Sequence, residues 1–208
     1  AKGEGFNIGL KIPYSANTTD VQPQVLQLKQ GKPDVVVFVS YTSDAILYMK
    51  AMHALDYKPA VLIGDDSGFS DASFLKTVGN IAQGAINRSA WDIGKPGSPT
   101  FHINEMYKKI RGVDLDDTAG RAMQGVLTLA DAINRAGSTD PAKIQAALRA
   151  TDLKPNQLMM GYQGVKFDAK GNNTLASALL IQVQGDKYVA VWPKANAVAP
   201  LQLPYKGW

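Results

Sequence analysis

The sequence predicts an α/β fold in which helices cover a parallel β-sheet. Two observations carry this prediction. Segments typical of strands alternate with segments typical of helices over the first 90 residues, in the order expected of a doubly wound sheet. One strand is the apolar run Val35–Val39, which has no polar alternation and is therefore typical of a strand buried on both faces. With 208 residues, 45% of them hydrophobic and 19% charged, the chain can bury a sizeable core in one domain or two lobes.

The first part of the chain contains four predicted strands and three predicted helices. Asp20 is expected to cap the first helix, because short polar side chains accept the amide hydrogens at a helix start. In the same way, Ser43 or Asp44 is expected to cap the second helix and Ser70 the third. The predicted strands are 6–12, 35–39, 60–63 and 84–89, and the predicted helices are 21–30, 43–55 and 70–78.

Beyond a turn-rich boundary at residues 94–99, three more helices are predicted, at 101–111, 118–136 and 141–150. Gly137 is expected to end the middle helix and Asp140 to cap the last one. The middle helix carries an apolar stripe, which we expect to be core, as such stripes usually are. The stripe consists of Met123, Val126, Leu127, Leu129, Ala130 and Ile133.

The last part of the chain is predicted to form short strands. Residues 164–168 and 176–184 are strand candidates joined by a hairpin turn at 169–173, and 189–192 forms the arm of a second hairpin. The tail from Pro193 onward is rich in proline and alanine and is expected to run over the surface.

The composition argues against several classes of protein. The absence of cysteine excludes disulfide frameworks and thiol catalysis. The net charge of +4 comes from scattered basic residues, so no nucleic-acid partner is predicted. His53 and His102 lie on separate predicted helices, and no metal site, cofactor site or catalytic group is predicted.

Targeting signals are also missing from the sequence. No apolar run is long enough to span a bilayer, and residues 1–5 lack the apolar region of a signal peptide. The expectation is a cytoplasmic protein, or a processed or truncated form of an exported one.

A ligand site is predicted at the carboxyl ends of the parallel strands, where open sheets bind their ligands. Tyr41 offers an apolar ring and a hydroxyl, and Asp66 can neutralise an ammonium group. Asp44 is either a ligand contact or only a helix cap, and Ser67 adds a hydroxyl. The loops expected to form this edge are 14–19, 40–44 and 65–69.

Several segments resemble type I periplasmic (solute) binding proteins, in particular the branch that binds amides and branched-chain amino acids. The segment LADAINRAGSTDP at 129–141 is similar to a characteristic segment of that family, and PDVVVF at 33–38 resembles its strand entry. Further similar segments are GVKFDAKG at 164–171, VWPK at 191–194 and the closing residues 204–208. These matches are spread over almost the whole chain.

The resemblance implies a fold of two doubly wound α/β lobes that trap a ligand between them, with the amino-terminal half of the fold outside this chain. Residues 1–90 would form part of lobe two and residues 91–178 would return to lobe one. Residues 179–208 would then make the final crossing and the tail.

The resemblance also implies a function and the residues that carry it. Such a protein is the extracytoplasmic component of an ABC importer, located in the periplasm, which binds a small amino acid and delivers it to a permease in the inner membrane. Tyr41 and Thr42 match an aromatic pair of the family, and Asp66 matches its acidic residue that binds the α-ammonium group. Two departures, threonine for the second aromatic and aspartate for the usual glutamate, leave the ligand's side chain open.

Two alternatives accompany this interpretation. A ligand-sensing regulatory or receptor domain of the same fold is the first alternative, and an enzyme on a doubly wound sheet is a more distant one because no catalytic group is found. For the chain by itself, exposed apolar surface is expected, to be covered by self-association or by a companion fragment.

Overall fold

A computed structural model of the chain describes residues 2–65 and 67–208. The chain divides into two compact units. The first consists of Ala1–Arg88 together with Leu180–Trp208, and the second consists of Ser89–Leu179. The assignment of the ranges 1–90, 91–178 and 179–208 to particular lobes stays a prediction.

The chain order of the elements alternates between strands and helices up to residue 89, as the sequence predicts. The strands are β1 Val35–Val39, β2 Val61–Asp65, β3 Ile86–Ser89, β4 Asp152–Leu153, β5 Val165–Lys166, β6 Leu179–Gln184 and β7 Lys187–Trp192. The helices are α1 Gln22–Gly31, α2 Thr42–Ala54, α3 Ala72–Val78, α4 Pro99–Arg111, α5 Asp117–Ala136 and α6 Pro141–Arg149.

The first unit is built on a five-stranded sheet with the order β1-β2-β3-β6-β7. β1 and β2 run parallel with Val35 opposite Val61, and β2 and β3 run parallel with Ile63 opposite Ile86. β6 and β7 form an antiparallel hairpin, which confirms the predicted second hairpin. The parallel part of the sheet therefore presents the carboxyl ends of three strands at one edge.

A single hydrophobic core holds α1, α2 and α3 against one face of this sheet. Val36, Phe38 and Leu62 point from the strands into that core. The helices contribute buried side chains such as Met49, Met52, Phe74 and Val25. Burying apolar surface of this kind is the main favourable term in folding.

The prediction that β1 is buried on both faces is wrong. Its burial alternates along the strand, because Val36 and Phe38 are buried whereas Val35, Val37 and Val39 are exposed. Within the described residues, helices cover only the face of β1 that carries Val36 and Phe38. A strand without polar residues can therefore still have one exposed face.

The predicted first strand at 6–12 is also wrong. In the described part of the sheet β1 is the edge strand, and residues 6–12 form neither helix nor strand. Phe6 and Ile8 are exposed. The segment therefore forms no ladder of hydrogen bonds with the free edge of β1.

The predicted helix caps are partly confirmed. Asp20 accepts the amide hydrogen of Gln22 at 2.9 Å, but the residue before α1 is Val21, whose side chain makes no capping hydrogen bond, so the predicted cap is displaced by one residue. The residue before α3 is Asp71 instead of Ser70, and it accepts the amide hydrogen of Ser73 at 2.7 Å. The second cap prediction is wrong, as described below for the site.

The second unit contains α4, α5 and α6 and the short antiparallel pair β4 and β5. Asp140 caps α6 by accepting from the amide of Lys143 at 3.0 Å, and Gly137 ends α5 in the left-handed conformation, both as predicted. The turn predicted at 169–173 is present, because Phe167 and Asn173 form an antiparallel bridge and the amide of Asp168 donates to the carbonyl of Asn172 at 3.0 Å. The strand predicted at 176–184 is present as β6 but is not the second arm of this turn, because β5 pairs with β4 and β6 is part of the sheet of the first unit.

The orientation of α5 also contradicts the sequence-based prediction of an apolar core stripe. Its buried residues are Asp117, Gly120, Gln124, Thr128 and Ala132. The predicted stripe, represented by Val126 and Leu129, is exposed to solvent. The helix buries its polar and small side chains because these side chains make hydrogen bonds within the second unit.

The end of the tail packs into the first unit, so the prediction of a surface tail is wrong for residues 202–208. Tyr205 is buried, its hydroxyl donates to the carbonyl of Ile81, and its amide donates to the carbonyl of Ala60 at 2.8 Å. Trp208 lies edge-on to His53 with ring centroids 4.9 Å apart. None of the helices in the described ranges combines the length and apolar character that crossing a membrane requires.

Candidate functional site

The candidate site lies at the edge of the first unit's sheet where β1, β2 and β3 end. Because these strands are parallel, the residues that follow β1 and those at the ends of β2 and β3 meet at this edge. Ser40 and Tyr41 follow β1, Asp65 ends β2 and Arg88 is the penultimate residue of β3. The structure thus brings the predicted loops after β1 and β2 together.

Tyr41 presents its ring to solvent from a defined backbone position. It is the residue that precedes α2, with φ −70° and ψ 165°, and its side chain is 68% exposed. Thr42 is the first residue of α2 and is half-buried. An aromatic ring that stays in water on an ordered element is available for contact with a ligand.

Asp44 is the third residue of α2, so the prediction that Ser43 or Asp44 caps this helix is wrong. Its side chain is 1% exposed, and its two carboxylate oxygens accept the amide hydrogen of Asn17 at 3.1 and 3.3 Å. The hydroxyl of Tyr14 donates to the same carboxylate at 3.5 Å. Asp44 therefore holds the loop that precedes α1 against the start of α2, and its role as a ligand contact stays a prediction.

Tyr14 and Tyr48 line the inner side of this loop. Their rings meet edge to face with centroids 5.1 Å apart, and the Tyr14 hydroxyl donates to the carbonyl of Val39 at 3.4 Å. Burial, with smaller contributions from Tyr14 and Asp44, raises the pKa of Tyr48 to about 12. Burial is also the main reason why the pKa of Tyr14 is raised. Both phenols are thus kept in the protonated form that can donate a hydrogen bond.

Asp65 and Arg88 form an ion pair at the same edge, with 2.6 Å between Oδ1 and Nε. The sequence places Asp65 in the loop expected at 65–69 but does not identify Arg88. The pair follows from the register of β2 and β3. Ile63 lies opposite Ile86, so Asp65 and Arg88, two positions further along each strand, lie opposite each other. Both side chains are partly exposed, so the pair contributes little stability and is accessible to a polar ligand.

The loop after β2 carries the two remaining predicted site residues. Asp66 lies outside the described residues, and its role as the ammonium-binding acid stays a prediction. Ser67 begins a 3₁₀ turn, Ser67–Phe69. Gly68 in this turn approaches the carbonyl of Ser40 so closely that a Cβ atom would collide with it. The loops after β1 and β2 are therefore in direct backbone contact.

Three buried polar side chains near this edge lack a hydrogen-bond partner among the described residues. They are Ser40, Ser70 and Asn87, and for Asn87 neither the amide nitrogen nor the amide oxygen is paired. Buried polar groups usually have a partner in the protein or in ordered water. The sequence predicts Ser70 only as a helix cap and Ser40 only as part of a loop, and Asn87 has the local pattern of an ordinary strand residue.

The described residues hold no cluster of three histidine, aspartate or glutamate side chains that could bind a metal ion. What the edge offers is an exposed aromatic ring, an ion pair and several hydroxyl groups. These groups suit the non-covalent binding of a small polar molecule with an apolar part.

Comparison with known proteins identifies the family. The periplasmic binding protein family matches residues 1–187, and the chain belongs to it. Leu/Ile/Val-binding protein homolog 7 from Brucella suis biovar 1 is 32% identical over 216 residues, covering 98% of this chain and 52% of the relative. The chain thus spans about half the length of the curated relatives it matches.

Solved structures show the same fold. The closed conformation of the leucine-, isoleucine-, valine-, threonine- and alanine-binding protein from Brucella ovis matches with a TM-score of 0.73 and 17% identity, covering 97% of this chain and 54% of that one. A leucine-binding protein from Thermotoga maritima matches with a TM-score of 0.72 and 18% identity, covering 85% and 49%. The α/β fold predicted from the sequence is therefore confirmed as that of type I periplasmic binding proteins, of which this chain represents about half.

Proposed function

We propose that the chain is part of the extracytoplasmic solute-binding component of an ABC importer, which binds a small amino acid of the branched-chain or a related type. The family is periplasmic by its description, and the curated relatives are named as Leu/Ile/Val-binding proteins. In this role the protein carries the ligand to a permease in the inner membrane and catalyses no reaction.

The observation that carries the proposal is the position of Tyr41. Its exposed ring stands at the start of α2, beside the edge at which Asp65 and Arg88 form their ion pair. An apolar ring can cover the aliphatic side chain of an amino acid, and its hydroxyl can donate to a polar group. Asp66 would bind the α-ammonium group, because an ion pair from which water is excluded is strong.

The chain alone is expected to bind its ligand weakly. It spans about half the length of its relatives, and in the proposed function the groups that bind the α-carboxylate belong to the other half. Each binding group that is absent from a small-ligand site removes part of the affinity, while the cost in lost translational and rotational freedom stays the same. Millimolar concentrations of ligand are therefore appropriate for a test on this chain.

NMR titration of the isotope-labelled 208-residue chain with leucine would test the proposal. We expect leucine to shift the resonances of residues 40–44 and 65–69, and 4-methylpentanoate, which lacks the ammonium group, to shift them much less. Tyr41→Ala should weaken binding by about tenfold, the effect of losing one well-placed aromatic contact.

Phe6→Ala is the matched control, because Phe6 is 69% exposed, lies outside the three loops and is remote in sequence from those at 40–44 and 65–69. It should leave the titration unchanged. Equal shifts with leucine and 4-methylpentanoate would reject the ammonium-binding role of Asp66. The absence of any shift at these loops with leucine, isoleucine and valine would reject the proposed ligand class.

A further inference from the structure

The loop that precedes α1 contacts the connection from β1 to α2 on both sides of Tyr41. The hydroxyl of Tyr14 donates to the carbonyl of Val39, the last residue of β1, at 3.4 Å. The amide of Asn17 donates to the carboxylate of Asp44, the third residue of α2, at 3.1 and 3.3 Å. The loop therefore holds the backbone just before and just after Tyr41, whose ring is exposed.

Asp44 has its partners inside the protein. Its side chain is 1% exposed, and its two oxygens accept from the amide of Asn17 and the hydroxyl of Tyr14. It also lies in the first turn of α2, where the partial positive charge of a helix start stabilises a carboxylate. A carboxylate that is buried and satisfied in this way has little surface left for a solute, so its contacts favour a role in holding the loop.

The backbone conformation of Asn17 supports the same role. Its φ of 58° lies in the left-handed region, which is uncommon for a residue with a side chain, although asparagine tolerates it better than most. Residues persist in sparsely populated conformations when the surrounding structure holds them. At Asn17 the bond from its own amide to Asp44 is such a contact, so loss of this carboxylate would release the loop.

We propose that Asp44 is a positioning residue, which holds the loop before α1 against the first turn of α2 and thereby fixes the backbone that carries the Tyr41 ring. Its effect on ligand binding rests on the proposed function, in which Tyr41 is the aromatic contact. From the other direction Gly68 lies against the carbonyl of Ser40, so the connection is held on two sides. A ring on an ordered backbone loses less freedom when a ligand binds than a loosely held one.

The first test needs no ligand. In the 208-residue chain, Asp44→Ala should raise the hydrogen-exchange rate of the Asn17 amide by about tenfold or more, because a buried acceptor is lost. It should also lower the NMR order parameter of the Tyr41 amide from about 0.85 to below about 0.6. Asp20→Ala is the matched control, because Asp20 also accepts a backbone amide, that of Gln22, but is exposed. It should leave the exchange rate and the order parameter unchanged.

An order parameter at Tyr41 that stays at the parent value in Asp44→Ala would overturn the proposal, even if the variant were less stable. Should Asp44→Ala fail to fold, Tyr14→Phe takes its place, because it removes only the hydroxyl that donates to Val39 and Asp44. This smaller change should lower the order parameter of Tyr41 by a smaller amount. No fall in Tyr14→Phe would then overturn the proposal.

The second test is a double-mutant cycle, measured by the NMR titration with leucine. Asp44→Ala and Tyr41→Ala should each weaken binding by about tenfold, and the double variant should bind no more weakly than Tyr41→Ala alone, because Asp44 acts through Tyr41. A double variant weakened by about a hundredfold, the product of two independent effects, would mean that Asp44 contacts the ligand itself and would overturn the positioning role. If the parent chain bound no leucine, the proposed function would fail, whereas the first test would still decide whether Asp44 positions Tyr41.

Discussion

Helices α2 and α5 differ in the kind of side chain that they bury. α2 buries Ala45, Tyr48, Met49 and Met52 in the core of the first unit. α5 exposes its apolar residues and buries a polar row, of which Gln124 is one member. The difference shows that the hydrophobic pattern of a helix marks the face that is suited to burial, whereas the face that is actually buried depends on which neighbours are present.

The largest expected difference in the free energy of unfolding between the two helices comes from shortening one apolar side chain in each. Met49 is fully buried, so Met49→Ala should lower the free energy of unfolding by about 2–5 kcal/mol. Leu127→Ala on the outer face of α5 should change it by less than about 0.5 kcal/mol. Urea unfolding followed by circular dichroism measures both values. Similar losses in the two variants would show that the two helices are buried alike.

A second, smaller effect concerns the inner side of α5. Asp117→Ala should cost about 3 kcal/mol, because the amide of Ala90 and the hydroxyl of Ser89 lose a buried acceptor. Asp116→Ala is the neighbouring control, which removes only the cap of the helix and should cost about 1 kcal/mol. The same urea experiment compares them, and an Asp117 variant as stable as the Asp116 variant would contradict the proposed anchoring of α5 by its polar side.

The smallest expected effect on the free energy of unfolding concerns Tyr48 on α2 and is seen only in alkaline solution. The pKa of Tyr48 is about 12 in the folded chain, above its ordinary value of 10.0, mainly because of burial. The folded state therefore retains the proton longer than the unfolded state. The stabilising contribution of this group is complete below about pH 10 and is lost as the pH rises from about 10 to 12.

Tyr48→Phe should accordingly flatten the decline in the free energy of unfolding between pH 10 and 12. Phe6→Ala removes an exposed side chain that carries no titratable group and should leave the decline as in the parent chain. Urea titrations at several pH values provide the measurement. Parallel declines in all three proteins would show that Tyr48 does not titrate as its burial implies.

Local signals predicted much of the fold. Runs of apolar residues located β1, β2 and β3, and the caps at Asp140 and Gly137 located the ends of the later helices, because each of these signals acts within a few residues. Apart from the caps of α2 and α3, the predictions that failed needed a distant partner. Residues 6–12 do not pair with β1 or with another described strand, and the outer face of β1 has no covering layer among the described residues.

The candidate site likewise has parts that local sequence signals predict and parts that they do not. The positions of Tyr41 and Thr42 at the end of β1 follow from a single strand and its topology. The contact between Asp44 and Asn17 joins residues 27 positions apart, and the pair of Asp65 and Arg88 joins residues 23 apart. Such contacts depend on how whole elements pack, which the local pattern around either residue does not record.

Gly68 limits how the loops of the proposed site can change. A Cβ atom at this position would collide with the carbonyl of Ser40, so the backbones of the loops after β1 and β2 are in contact here. A larger residue at position 68 would have to push the two loops apart. In the proposed function, exchanges at Tyr41 or Thr42 would change the groups offered to the ligand while this backbone contact is kept.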